Sequence, residues 1–285
     1  MRRPAAVILL TLLLCCSCYA EPDTGNPFAL SFSVSSSRNN AETGRPYEDA
    51  FYAHGTAFVV VDGVSRTDTE YLDMAESPAA FAAQRTAAIV GKILQYARNP
   101  ASAAKAAARR ASAAVGRYNR QSGLTVPAAA SYVSAVVRNG TLYYSYIGDD
   151  HLIVLRDGVM TELCEKQTEA VHRAGGAYGL GMSREEYYKK VVNNADYPGG
   201  LGYGVITGSR GAFDFLETGS LVLSVGDRIL LASDGLDAFL ANAPYEILAG
   251  LPAEELLAAS VPYDSPPYGS YAHDKTLIVI DIMPS

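Results

Sequence analysis

Two dipeptides, Asn139-Gly140 and Asp157-Gly158, each interrupt a pair of runs rich in Val, Ile, Leu and Tyr. Both dipeptides tolerate positive φ at the two central positions of a tight turn, so each is expected to close a β-hairpin. The flanking runs, 132–137, 142–147 and 152–155, then pair with their sequence neighbours in an antiparallel meander. Further runs of this kind occur at 57–61, 221–225, 228–232 and 276–282. A doubly wound parallel sheet is excluded, because it would need a helix in every connection.

Helical periodicity is concentrated in one place. Residues 81–97 carry Ile89, Ile93 and Leu94 near helical spacing, and 101–120 is Ala-rich with Lys105, Arg109, Arg110, Arg117 and Arg120 spread around it. Those cations read as a solvated face that keeps an Ala-rich helix soluble, with a patch for acidic ligands as the alternative. Short helices are expected at 236–242 and 253–260, and the Gly- and Tyr-bearing stretch 193–211 reads as a long covering loop. Helices grouped beside a run of hairpin strands predict an α+β fold: two antiparallel β-sheets in a central sandwich, flanked by helices.

The first twenty residues read as a separate object. Arg2 and Arg3 precede the apolar run 7–14, which is too short to span a bilayer comfortably, so 1–20 is expected to be an export signal. Cleavage after Ala20 would make a secreted protein; lipid attachment at Cys18 would make a membrane-anchored lipoprotein. Residues 21–30 would then be a linker and 31–285 the folded domain, periplasmic or extracellular. Beyond this segment Cys164 is the single cysteine, which excludes an intrachain disulfide or a thiolate zinc cluster and leaves Cys164 a small hydrophobe. The net charge of −7 argues against nucleic acid as a partner, since such binding needs clustered cations.

Acidic residues recur where apolar strands begin or end: Glu48-Asp49 before Ala50, Asp62-Gly63 after Val61, Gly148-Asp149 after Ile147, Asp234-Gly235 after Ala232 and Ser233, and Asp274 before Thr276. One Asp-Gly is usually only a turn. Acids at five such strand ends on one edge of a sandwich would raise one another's pKa unless cations neutralise them. Oxygen ligands without companion His or Cys select hard cations, Mg²⁺ or Mn²⁺ rather than Zn²⁺. Two such ions about 3.5 to 4 Å apart can share a hydroxide that attacks phosphorus.

In order and context these stretches resemble the protein phosphatase 2C (PPM) family of metal-dependent serine/threonine phosphatases. The stretches are Arg45-Pro46-Tyr47-Glu48-Asp49-Ala50, Val61-Asp62-Gly63, Tyr146-Ile147-Gly148-Asp149, Gly226-Asp227-Arg228 through Ser233-Asp234-Gly235-Leu236, and Asp274-Lys275-Thr276. The resemblance implies that Asp62 bridges two Mn²⁺ or Mg²⁺ ions. Glu48 and the Gly63 carbonyl would help hold one ion, and Asp234 and Asp274 the other. Asp49 would orient water, Asp149 would line the site beside a third, weaker ion, and Arg45, or failing it Arg38, would hold phosphate. The chain departs from the family at Val64-Ser65-Arg66, where a His or a glycine-rich turn is usual, and at Lys275, where Asn or Asp is usual. His54, His151, His172 and His273 are scattered, with His273 and His151 closest to the acids.

The function so implied is metal-dependent hydrolysis of phosphoserine or phosphothreonine in a protein or peptide partner. Two alternatives stand beside it: an exported, non-catalytic relative that binds a phosphorylated or peptidic partner, and a phosphatase for small phosphoesters. The only membrane contact expected is through an N-terminal lipid anchor.

Overall fold

The computed structural model describes residues 26–38, 47–64, 77–268 and 274–285. The segment 1–20 and residues Arg45, Ser65, Arg66 and His273 therefore lie outside the described residues. Ten strands form two five-stranded sheets, in which every neighbouring pair is antiparallel. One sheet has the order β1 (Ala29–Ser37), β10 (Lys275–Met283), β9 (Arg228–Ala232), β6 (His151–Arg156), β7 (Val159–Glu162). The other has the order β2 (Ala50–His54), β3 (Ala57–Val61), β4 (Tyr132–Arg138), β5 (Thr141–Ile147), β8 (Glu217–Val222). The expected sandwich is present.

The two hairpin dipeptides behave as their chemistry requires. Asn139 and Gly140 have φ of 50° and 73°, Asp157 and Gly158 51° and 79°, and they join β4 to β5 and β6 to β7. Both are primed turns, whose twist matches that of the flanking strands.

The continuous apolar run of β3 follows from its being covered on both faces. Phe58 and Val60 enter the core between the sheets, with Val133, Leu142, Leu152, Ile229, Leu231 and Ile278. Val59 and Val61 face the other way, onto helices α1 (Pro78–Gln95) and α2 (Pro100–Ser122). Those helices start where the sequence supplies a cap followed by proline. Ser77 accepts from the Ala79 and Ala80 amides and Asn99 from that of Ser102, and Gly123 ends α2 at φ 66°. On the outside of the first sheet, Ile153, Leu230, Leu277 and Val279 pack against α6 (Asp237–Asn242), α7 (Tyr245–Gly250) and α8 (Ala253–Ser260).

Between β7 and β8 lie three short helices, α3 (Glu169–Arg173), α4 (Gly176–Gly179) and α5 (Arg184–Lys190), which sequence periodicity did not resolve. The stretch 193–211 is more than the covering loop expected. Tyr203 and Val205 are buried with Val171, Tyr187 and Val191 in a small core of their own, and Ile206 enters the main core beneath α2. β8 also runs earlier than expected, because its pairing with β5 begins at Glu217 opposite Tyr146 and ends at Val222 opposite Thr141. Cys164 is free and buried, and burial pushes its thiol pKa far up, which suits a packing role. Among the described residues no helix is long and apolar enough to cross a membrane.

Candidate metal centre

Strand pairing decides where the acids meet. Ala50 at the start of β2 pairs with Val61 at the end of β3, and Tyr132 at the start of β4 pairs with Ile147 at the end of β5. In the opposite sheet, Ala232 at the end of β9 pairs with His151 at the start of β6 and with Leu277 near the start of β10. Antiparallel registers thus carry Glu48, Asp49, Asp62, Asp149, Asp150, Asp234 and Asp274 to one end of the sandwich. Arg38, immediately after β1, lies at that end too, since Ser37 pairs with Lys275.

The acids form an inner and an outer tier. Glu48 is 2% exposed, Asp49 3% and Asp150 2%, whereas Asp62, Asp149, Asp234 and Asp274 are partly exposed. Within the inner tier, Asp49 Oδ2 accepts the hydroxyls of Ser233 at 2.8 Å and Thr276 at 2.9 Å. Ser233 Oγ in turn accepts the Thr276 amide at 2.9 Å. Glu48 accepts the Ser77 hydroxyl, so the residue that caps α1 also orients this carboxylate. The Glu48 amide donates to Asp274 Oδ2 at 2.7 Å, linking the start of β2 to the start of β10. Gly63 is wedged beneath them: a Cβ there would stand 2.4 Å from the Glu48 carbonyl oxygen and 2.7 Å from that of Ala79.

Their electrostatics follow from crowding. Removal from water raises the Asp49 pKa to about 6, with the Asp274 charge adding to the rise and hydrogen bonds from Asp62, Ser233 and Thr276 restraining it. Asp62 is raised well above the ordinary carboxylate value, first by the same loss of water and then by Asp234, Asp49 and Asp150, and its carboxyl shares a hydrogen bond with Asp49. Asp234 is raised by loss of water and by Asp149, Asp237 and Asp49, against which Lys166 acts weakly. Asp150 is raised by burial and then by Asp149. Asp62 and Asp234 keep some exposed surface, yet the cleft is narrow enough to strip most of their hydration.

A hard divalent cation fits this donor set. Asp49 Oδ1 and both oxygens of Asp150 are buried without a hydrogen-bond partner, an arrangement that is costly for a carboxylate unless a cation answers it. The Ser131 hydroxyl is near enough to Asp150 to ease its charge, but its oxygen also lacks a well-formed hydrogen bond. Among the described residues no group of three or more His, Cys, Asp or Glu side chains is arranged to hold a metal ion as it stands. The acids share one end of the sandwich, and an oxygen-only donor set of this kind suits Mg²⁺ or Mn²⁺.

A second network stands behind the acids. His151 Nε2 is 2.7 Å from Asp237 Oδ1 and Nδ1 is 3.0 Å from Glu162 Oε2, while Lys166 pairs with Asp237. Burial opposes the His151 charge, but the two carboxylates overcome it and lift the pKa to about 9. His151 is thus an imidazolium fixed at both nitrogens and is not poised to protonate a leaving group. A cleft of about 320 Å³ opens beside the network, lined by Asp149, Lys166, Thr168, Glu169, His172, Arg173, Asp234 and Asp237. Thr168 donates to Asp149 Oδ2 at 2.8 Å. A larger hollow of about 470 Å³, by Tyr188 and Asn193, lies away from the acids.

Two departures from the expected pattern have structural explanations. Lys275 points away from the acids, its Nζ 2.6 Å from Asp264 and 2.9 Å from the Ser260 hydroxyl. Val64 packs onto the small core of Tyr187 and Tyr203. His54 contacts Gln95 at an exposed position remote from the site. Sequence reasoning missed Ser77, Asp150, Ser233 and Thr276. Their signals were proximity in sequence to named acids and, for Thr276, the two-residue spacing from Asp274 that puts both on one face of a strand.

No family model matches the chain, and no curated protein matches it in sequence. Among solved structures it is similar to the serine/threonine phosphatase PstP of Mycobacterium tuberculosis, with 18% identity and a TM-score of 0.64 over 89% of this chain and 99% of that one. The PstP catalytic domain in complex with 2 manganese ions matches with 19% identity and a TM-score of 0.64, over 89% and 98% of the two chains. The PPM Ser-Thr phosphatase MsPP of Mycobacterium smegmatis, solved with cacodylate, matches with 18% identity and a TM-score of 0.57 over 88% and 97%. The chain therefore has the fold of the PPM phosphatases across nearly its whole described length.

Proposed function

We propose that this chain hydrolyses phosphomonoesters, with protein phosphoserine and phosphothreonine as the favoured substrates, using two Mn²⁺ or Mg²⁺ ions held at the acid end of the sandwich. The observation that carries this reading is the convergence of acids from both sheets on one end of the sandwich, where Asp49 Oδ1 and both Asp150 oxygens are buried without a hydrogen-bond partner. Asp62, which has Asp49 and Asp234 as electrostatic neighbours, would bridge the two ions. Glu48 and the Gly63 carbonyl serve one side, Asp234 and Asp274 the other, with Asp149 beside a third, weaker position. When bound, such ions would supply an activated water and positive charge for the phosphoryl oxygens.

The chain's own residues do the positioning. Ser77 fixes Glu48, and Ser233 with Thr276 fixes Asp49, so that Asp49 can orient water from behind. Lys166 and Arg173 also line the cleft, each paired with a carboxylate of the same lining, Asp237 and Glu169. Arg45 is proposed as the phosphate-holding guanidinium.

The test is metal-dependent turnover of an aryl phosphate, phosphopeptides and small phosphoesters by the chain. Turnover should require Mn²⁺ or Mg²⁺ and be abolished in Asp62→Asn and Asp234→Asn. Failure with both ions would refute an enzyme. Absence of turnover together with weak metal binding in a calorimetric titration would instead support the exported binding protein, which has no need for two tightly held ions.

A further inference from the structure

We infer that the outer face of the α1 and α2 layer is a docking surface for an anionic lipid bilayer. Residues 77–131 contain no Asp or Glu but carry eight cations: Arg85, Lys92, Arg98, Lys105, Arg109, Arg110, Arg117 and Arg120. Set apart from the chain's 23 basic residues, these eight leave 15 against 30 acids, so a chain with net charge −7 keeps +8 on one helix pair and −15 elsewhere. All eight side chains are exposed. Among the described residues none of them is in an ion pair, although Asp214 and Glu217 stand on the segments packed against the flank of α2.

Geometry gathers the charges on one side. At about 100° per residue, Lys105, Arg109, Arg110, Arg117 and Arg120 fall within an arc of roughly 140° on α2, opposite the stripe of Ala104, Ala108, Ala111 and Val115 that faces the core. On α1, Arg85 and Lys92 lie within about 20° of one another. The two helices pack side by side on one sheet, so their outer faces form a shallow basic surface about 35 Å long. Small Ala and Ser residues separate most of the cations.

Tyr96, at the C-terminal end of α1, projects from this surface with 78% of its area exposed, between Lys92 and Arg98. An exposed Tyr flanked by Lys and Arg is the composition of a membrane–water interface, where the ring sits among headgroups and the cations meet lipid phosphates. The N-terminal segment, with Arg2, Arg3, an apolar run at 7–14 and Cys18, would bring the domain to a bilayer. One lipid chain holds a protein only marginally, and a polybasic surface is the kind of second signal that makes anchoring stable.

The chain has no Trp, so Tyr96→Trp makes a single-site reporter. The full chain carrying Tyr96→Trp is titrated with vesicles of phosphatidylcholine alone or containing phosphatidylglycerol, at low and high salt. The expected result is a blue shift with the anionic vesicles only, reversed by salt. The added triple change Lys105→Ala, Arg110→Ala and Arg117→Ala should weaken the anionic response about a hundredfold, while helix content is retained because Ala favours a helix. Equal shifts on both vesicles would assign the contact to the apolar N-terminal segment and overturn the proposal. So would an unchanged response in the triple variant, or a shift with poly-glutamate but not with vesicles, which would assign the surface to an acidic protein. None of these residues belongs to the acid cleft, so the result is independent of phosphatase activity.

Discussion

Asp49 and Thr276 stand on opposite sheets and meet at 2.9 Å, the hydroxyl donating to Oδ2 of a carboxylate that is 3% exposed. Thr276 also bonds Tyr47 through the same hydroxyl oxygen. Thr276→Val keeps the shape of β10 and removes both contacts. Divalent-ion affinity, measured by calorimetric titration with Mn²⁺, should fall by about 10- to 100-fold, as for other residues that orient a ligand from behind. The adjacent Lys275→Met, on the other face of β10, should lower stability through loss of the Asp264 pair while leaving Mn²⁺ affinity unchanged.

Crowded acids give the metal-free protein an inverted pH dependence. Asp49 holds its proton to about pH 6 when folded against an ordinary value of 3.8, so the folded state binds more protons than the unfolded state between those limits. Stability must then fall as pH rises through that window, by about 3 kcal/mol from Asp49 alone, and Asp62, Asp150 and Asp234, whose pKa values are also raised, act in the same sense. Asp237, whose pKa is lowered, acts in the opposite sense but only below about pH 4. Denaturant melts with a chelator at pH 4.5 and 7 check this, and Mn²⁺ should restore far more stability at the higher pH. Rising stability across the interval in chelator would show that the acids are not desolvated.

Gly63 is required by space. In Gly63→Ala the new Cβ meets two backbone carbonyl oxygens, at 2.4 and 2.7 Å, and neither can swing aside as a side chain could. Overpacking on this scale costs on the order of 1–3 kcal/mol. Because Glu48 supplies one of those carbonyls, Mn²⁺ affinity should fall together with the melting temperature.

His151 offers a separate handle. Its pKa of about 9 in the fold exceeds the unfolded 6.5, so its stabilisation is complete below pH 6.5 and is lost as pH rises through 9. Partial exposure of Glu162 and Asp237 limits the effect to about 2 kcal/mol. In His151→Gln, urea midpoints between pH 6.5 and 9.5 should lose this slope.

Legibility in the sequence tracked how directly a residue's chemistry fixes its geometry. The hairpins were readable because Asn-Gly and Asp-Gly accept positive φ, and β3 because a strand covered on both faces is uniformly apolar. β1 was missed although Leu30, Phe32 and Val34 alternate with serines, since its outward face is polar and one of those serines, Ser33, accepts the Ala253 amide of α8. The short helices 169–190 span too few turns for a period to emerge. In the site, the acids were visible as strand-end turns. Ser77 and Thr276 were not, because only strand register and a helix cap bring a hydroxyl to a distant carboxylate.

The crossing from β5 to β6 passes through Gly148, Asp149 and Asp150, where the chain leaves one sheet and enters the other. With Asp49 and Asp62 at the end of the sheet that holds β5, and Asp234 and Asp274 at the end of the sheet that holds β6, an ion held among them would act as a rivet through two plates. Stripping it and prying the plates apart become one event, so loading with ions should set how fast water first penetrates the seam.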